Sequence, residues 1–305
     1  MATKYNLTVL FFINPSLIGG MASNARRTGL LVVERGGDIF YKKEVLKFLL
    51  KRAENKFVII YATSNTKRLF LILIFRVLGI KVVTRVGGKR IFSSFHLTTK
   101  IVSLLSNIVV VVNQELSEFF KSLRINNSKL YHIPGFIPTS IKSICTEKFD
   151  VSLTYMYTDN DIYNLESVEN IAGLGFSVLI GVYGLPVEKI PESTRERITR
   201  LSKLSNVKIT ENDNDYLRRA INATLHIRLT KEDGDSNVIR ELLYHKKKVV
   251  ASNVVRRPSG CLVHDLSEPI CREKINEWLS LENDIPYQPV ADQLEYLPRL
   301  FPDDF

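Results

Sequence analysis

Strand-length apolar runs alternate with helical patterns along the whole chain. Runs at Leu7–Ile13, Phe57–Ala62, Lys81–Arg85 and Ile108–Val112 predict β-strands, separated by helical periodicity near Lys42–Glu54, Thr66–Leu78 and Leu116–Leu123. Val109 to Val112 is apolar at consecutive positions, which suits a parallel strand covered on both faces. A second series follows, with strands predicted at Val151–Met156, Phe176–Val182, Val207–Thr210, Ala223–Leu229 and Val249–Ser252. Helices are predicted near Glu192–Leu204, Tyr216–Ile221 and Asn237–His245. Cys271–Leu279 and Ala291–Leu300 read as two closing helices with a proline-containing linker between them. This alternation predicts an α/β protein with parallel sheets.

Between the two series lie Pro134, Gly135 and Pro138, and the domain boundary is placed there. The reading is a first domain over 1–140, a second over 141–285, and a last helix in 286–305 that packs back on the first. At 305 residues each domain can bury its own core. Open α/β sheets bind ligands beyond the carboxyl ends of their strands, so chemistry is expected in a cleft where two such domains face each other.

The stretch ATLHIRLTKEDGDSNVIRELLYHKKKVVAS, residues 223–252, is the most informative. A strand ends near Thr230, a polar turn DGDSN follows, and a helix opens near Val238. Asp235 or Ser236 is a natural N-cap. Gly234 permits backbone that a Cβ would oppose. The exposed N–H groups of the first helical turn, at Ser236, Asn237 and Val238, together with the positive helix end, suit a diphosphate. Arg228 and Lys231 can offset phosphate charge. Glu241 lies one turn inside, and helical side chains lean towards the N-terminus. Phosphate would repel its carboxylate, so a ribose or sugar hydroxyl is its sensible partner. An ordinary capped helix with a surface glutamate explains the same spacing without any ligand.

The segment resembles the donor-binding motif of family 4-like glycosyltransferases of the GT-B fold, in which two acids are separated by seven residues. Here those positions are Asp233 and Glu241, followed by a KKKVVASNV stretch similar to the family's small-residue strand. IRLTKEDGDS looks like the variant found in bacterial polysaccharide enzymes, with Arg228, Thr230, Asp233 and Gly234 matching. IVVVVNQELSEFFKSL and KLYHIPGFIP resemble the last strand and helix of the first domain leading to the hinge. NPSLIGGMASNARR, with Gly19 and Gly20, resembles the glycine-bearing loop that faces the donor.

The resemblance implies two Rossmann-like domains facing a cleft, and sugar transfer from a nucleotide-sugar donor with retention. The acceptor would be a glycan or lipid-linked sugar in surface polysaccharide synthesis. It makes Asp233 and Glu241 the catalytic pair, Asp233 towards the transferred sugar and Glu241 towards the donor ribose. Gly19, Gly20, Arg228, Lys231, Gly234, Asp235, Ser236, Asn237 and Val238 would bind the donor. Arg85, Lys89 and Arg90, beyond a first-domain strand, are the candidates for an acceptor phosphate. No cofactor or metal ion is expected, because a helix terminus and basic side chains meet the phosphate charge. The sequence also departs from the family. Asp233 is one methylene shorter than the usual glutamate, YMYTDNDIYN lacks the basic pair expected after the first strand of the second domain, and TRVGG offers no histidine. A nucleotide-sugar epimerase of the same fold is the alternative enzyme, and a degenerate transferase serving as a binding scaffold is the non-enzymatic one.

Charge adds a second theme. The net +10 is uneven: residues 1–140 hold 21 Lys/Arg against 6 Asp/Glu, and the remainder 21 against 26. From Asn55 to Gln114 there are nine basic residues and no acid. The first half is therefore expected to meet an anionic partner, a membrane surface or a phosphorylated substrate, unless it is simply a solvated basic face. Leu69–Phe75, between Arg68 and Arg76, is too short to cross a bilayer and reads most simply as a buried helix, with a surface lying on anionic lipid as the functional alternative. The N-terminus reads as a first strand and not a signal peptide. Three cysteines without metal-type spacing fit a reducing cytoplasm, with attachment to the inner face of the membrane as an extension.

Three Asp-x-Asp triplets, Asp159–Asp161, Asp213–Asp215 and Asp233–Asp235, could hold a divalent ion in a different, single-domain transferase fold. The first two suit turns and helix caps better, and the third belongs to the phosphate turn. The five histidines show no metal spacing, no G-x-G-x-x-G follows the first strand, and no aromatic–basic interleaving supports nucleic acid as a partner.

Overall fold

The computed structural model describes residues 7–13, 20–34, 36–51, 55–61, 67–86, 96–126, 129–133, 143, 146–183, 190–234 and 236–282. The chain divides into two compact units, one holding Met1–Ile137 and the other Pro138–Pro289. Gly19, Lys89, Arg90, Asp235 and the helix expected at Ala291–Leu300 lie outside the described residues.

The first unit is built on six parallel strands: β1 (Leu7–Phe11), β2 (Asp38–Tyr41), β3 (Asn55–Tyr61), β4 (Lys81–Val86), β5 (Ile108–Val111) and β6 (Leu130–His132). Their order across the sheet is β2-β1-β3-β4-β5-β6. Alternation along each strand feeds two layers. Val9, Phe11, Phe57 and Val83 pack beneath the helix Gly20–Glu34 through Ala25 and Val32. Leu10, Val58, Ile60 and Val82 on the other face meet Phe48 of the helix Val45–Leu50, Ile72 and Phe75 of Lys67–Val77, and Val102 of His96–Leu105. β5 is buried at all four positions, as its uninterrupted valines require.

Two expectations change here. The helix expected over Lys42–Glu54 is a 3-10 turn, Lys42–Glu44, followed by only Val45–Leu50, because Lys51 turns extended. Lys67–Val77 is not a buried helix: Ile72 and Phe75 pack inward, while Phe70, Ile74 and Val77 face outward and exposed.

The second unit repeats the plan with β7 (Phe149–Met156), β8 (Val178–Tyr183), β9 (Val207–Glu211), β10 (Ala223–Arg228), β11 (Lys248–Ser252) and β12 (Leu262–His264). All pairs are parallel, in the order β12-β11-β10-β7-β8-β9. The chain winds outward from β7 through β8 to β9, then crosses to β10 and winds the other way. The β7/β10 seam is therefore the topological switch point, where neighbouring connections leave to opposite sides and open a crevice at the strand ends. One face packs on the helices Leu165–Gly173, Glu192–Ser202 and Arg272–Ser280, and the other on Tyr216–Ala220 and Asn237–Tyr244. Gly181 of β8 is required by packing: a Cβ there would lie 2.5 Å from the ring of Tyr216, whose hydroxyl donates to the Leu153 carbonyl at 2.7 Å.

Candidate functional site

The strands on either side of the switch end in two interlocked loops. Residues 157–164 follow β7 and residues 229–236 follow β10. The Lys231 amide donates to the Ile162 carbonyl at 2.8 Å, and Lys231 Nζ reaches Asp161 Oδ2 at 2.9 Å. Asp161 Oδ1 accepts from Leu165 N at 2.9 Å and so starts the following helix. This is the capping use expected of the first Asp-x-Asp triplet. Asp213 behaves likewise, accepting from the Asp215 amide at 2.8 Å and from Arg219 Nε at 3.0 Å. The loop after β7 has no basic residue of its own, and Lys231 brings one to it from the neighbouring strand end.

Below the loops lies a buried cluster of charge. Arg228, the last residue of β10, donates from Nε to Asp233 Oδ2 at 3.2 Å, from Nη2 to Oδ1 at 3.4 Å, and from Nη1 to Thr154 Oγ1 of β7 at 3.1 Å. The Tyr163 ring stacks on its guanidinium at 4.9 Å. Arg257, in the loop after β11, donates to Asp233 Oδ2 at 2.7 Å, to the Ser252 carbonyl at 2.7 Å and to Ser252 Oγ at 3.1 Å. Ser252 Oγ in turn donates to the Thr230 carbonyl at 2.7 Å. The Gly234 amide donates to Asp233 Oδ1 at 2.9 Å.

Burial alone would push Asp233 towards its neutral form, but the flanking Arg228 and Arg257 win and hold its pKa down to about 2. Burial likewise opposes the charge of Arg228, and Asp233 and Tyr163 overcome it, so its pKa rises above the ordinary arginine value. Two guanidiniums around one carboxylate leave these three side chains with one net positive charge, largely withdrawn from water.

The helix Asn237–Tyr244 follows the loop that carries Asp233. Ser236 is its N-cap, its hydroxyl accepting from Ile239 N at 3.5 Å, which decides between the two caps the sequence allowed. Glu241 lies one turn in and is buried. Ser236, Asn237, Val238 and Glu241 thus lie at the start of the helix that follows the loop after β10, the strand that Arg228 ends. Asp233 departs from its expected placement: both its oxygens are taken up by guanidinium and amide donors, so it holds the two arginines and does not present a carboxylate to a sugar hydroxyl.

In the first unit Gly20 opens the helix Gly20–Glu34, and Arg85 sits next to the end of β4 with a buried side chain. Sequence reasoning missed Arg257. Its only signal was the Arg256–Arg257 pair just after a strand that neighbours β10.

Deeper in the same seam, His226 of β10 is buried with Nδ1 3.0 Å from Ser152 Oγ of β7. Burial, with the nearby Arg228 charge, lowers its pKa to about 3, so it is neutral in the folded protein.

No protein-family model matches this sequence, and no curated protein matches it. Solved structures do match it in three dimensions. HepE of Anabaena, solved in complex with UDP and glucose, superposes with a TM-score of 0.63 over 90% of this chain and 89% of its own, at 12% identity. The catalytic domain of starch synthase IV from Arabidopsis thaliana, bound to ADP and acarbose, gives 0.63 over 99% of both chains at 9% identity. The chain has the GT-B glycosyltransferase fold. Sucrose-phosphate synthase from Thermosynechococcus elongatus, at 0.60 and 11% identity over 98% of this chain and 90% of its own, shares it. At such low identity the likeness carries architecture, and the chemistry of this GT-B chain is argued from its own residues.

Proposed function

We propose that the chain transfers a glycosyl unit from a nucleoside-diphosphate sugar to a hydroxyl of a glycan or lipid-linked acceptor, with retention at the anomeric carbon. The observation that carries this reading is a buried, net-positive cluster and a capped helix N-terminus at one topological switch point. Two of the solved GT-B structures hold a nucleoside diphosphate, UDP in one and ADP in the other.

Cleavage at the anomeric carbon leaves positive character on the sugar and negative charge on the departing diphosphate. The first-turn amides at Ser236–Val238, with the fields of Arg228 and Lys231, are preorganised to stabilise that negative charge. Glu241 accepts a hydrogen bond from the donor ribose. Asp233 and Arg257 are positioning residues that hold the Arg228 guanidinium in place. Arg85, with Lys89 and Arg90, is the acceptor-side candidate, and Gly19 and Gly20 are the first-unit candidates for donor binding. Because fixed cations and a helix terminus meet the phosphate charge, turnover is expected to survive chelation of divalent ions. Loss of activity in chelator, restored by magnesium or manganese, would contradict that.

Thermal unfolding in the presence of UDP, ADP and GDP and their sugars tests the reading. Trp278, the sole tryptophan, lies in the second unit and reports its unfolding. One nucleotide is expected to raise the midpoint of the wild type and to lose that effect in Arg228→Gln. If no nucleoside diphosphate moves it, the donor-site reading fails. Binding without turnover would favour the scaffold.

A further inference from the structure

Among the described residues, ten of the fourteen large hydrophobic side chains left exposed belong to the first unit. The helix Lys67–Val77 concentrates them. Its inner face packs Ile72 and Phe75 on the sheet, while Phe70 is 73% exposed and Val77 86%. Leu73 and Ile74 complete the outward stripe at helical spacing. On the same face of the sheet, the helix Val45–Leu50 buries Phe48 and leaves Leu46 at 70% and Leu50 at 74% exposure. A helix apolar on both sides requires an apolar medium on both. At eleven residues it cannot cross a bilayer, and no described helix is long and apolar enough to do so.

The charge beside this face narrows the occupant. Lys43, Lys47 and Arg76 are exposed there, and the sequence carries no acid from Asn55 to Gln114. A second copy docked by the same face would bring these cations together, with the nearby Glu44 and Asp38 already paired to Lys47 and Lys51. The boundary of an anionic bilayer supplies both needs, phosphate charge for the cations and acyl chain for Phe70, Ile74 and Val77.

We infer that this face, the outer sides of Val45–Leu50 and Lys67–Val77, is a membrane-docking surface that lies in the headgroup layer of an anionic leaflet. The inference rests on the first unit alone and goes beyond the sugar-transfer reading, so either can fail without the other.

The test is co-sedimentation of the full chain with vesicles of phosphatidylcholine, alone or doped with phosphatidylglycerol, over a salt series. Wild type is expected to bind the doped vesicles at low salt and to release as salt rises. Phe70→Gln/Ile74→Gln/Val77→Gln should weaken binding at least tenfold, through lost apolar insertion. Lys43→Gln/Lys47→Gln/Arg76→Gln should weaken it about fivefold per residue and flatten the salt dependence. An unchanged circular-dichroism spectrum and melt of the full chain confirms that the first unit of each variant is folded, since Trp278 reports only the second. Failure of the wild type to bind doped vesicles, or equal binding by the apolar variant, overturns the proposal. So does a wild-type dimer in sedimentation velocity that the apolar variant converts to monomer, which would make the face a self-interface.

Discussion

The two units share a plan of six parallel strands but spend their polar and apolar residues in opposite ways. At the carboxyl edge of its sheet, the second unit buries charge, with Arg228, Asp233 and Arg257 closed on one another and tied to Thr154, Ser252 and Thr230. The first unit leaves apolar side chains outside, with Phe70, Ile74 and Val77 facing away from a core that Ile72 and Phe75 already fill. A buried ionic cluster is costly to assemble and adds little stability over a hydrophobic one, whereas its geometry is fixed tightly. An exposed apolar stripe adds little to the stability of the fold, and large exposed apolar patches are where partners dock. The first arrangement fits a site that must hold its donors still, and the second a surface that must meet something else.

Breaking the cluster should have the largest effect on stability. Asp233→Ala leaves two guanidiniums without their carboxylate, and is expected to cost about 3–5 kcal/mol in the second unit. Denaturant titration followed by Trp278 measures this. A loss below about 1 kcal/mol would mean that water or a neighbouring group compensates.

Glu241→Ala sharpens the division between structure and chemistry. Turnover should fall about a hundredfold or more, close to 2.7 kcal/mol of transition-state stabilisation, with the Trp278 midpoint changing far less than in Asp233→Ala. Wild-type turnover in a folded Glu241→Ala protein would remove the residue from the mechanism.

Acid should weaken the second unit through His226. Its folded pKa of about 3 lies below the ordinary 6.5, so between those values the unfolded chain holds a proton that the folded one does not. Stability is then complete above pH 6.5 and falls as pH drops towards 3, at roughly 1.4 kcal/mol per pH unit. Asp233 adds its own loss only below about 3.8, as pH falls towards 2. His226→Gln should flatten the slope between pH 6 and 4 relative to its own stability at pH 7, and an unchanged slope would assign the acid sensitivity elsewhere.

The smallest effect is expected at the exposed stripe. Phe70→Gln, Ile74→Gln and Val77→Gln should each change first-unit stability, followed by circular dichroism, by less than about 0.5 kcal/mol. A larger loss from any of them would show that the side chain belongs to the core.

Much of the architecture was determined by the sequence alone. Valines at consecutive positions in Ile108–Val111 can only satisfy both faces of a covered strand, and the Ser236 hydroxyl ahead of a helical run is a cap by its own chemistry. These are local or periodic signals, carried by neighbours a few residues apart. The weakly patterned helix Gly20–Glu34 and the short edge strands β2 and β12 went unread because they draw their stability from the sheet they complete.

The partners of Asp233 were not legible either. Twenty-four residues separate it from Arg257 and seventy-four separate Arg228 from Thr154, and only the winding of β7, β10 and β11 brings their ends together. Likewise, the run Leu69–Phe75 is apolar whichever way it faces, and periodicity reports that a helix has an apolar side without saying what lies against it. Sequence set most of the elements and the Ser236 cap. Tertiary structure decided which charges meet and which apolar faces stay uncovered, because both depend on contacts between segments that the chain order keeps far apart.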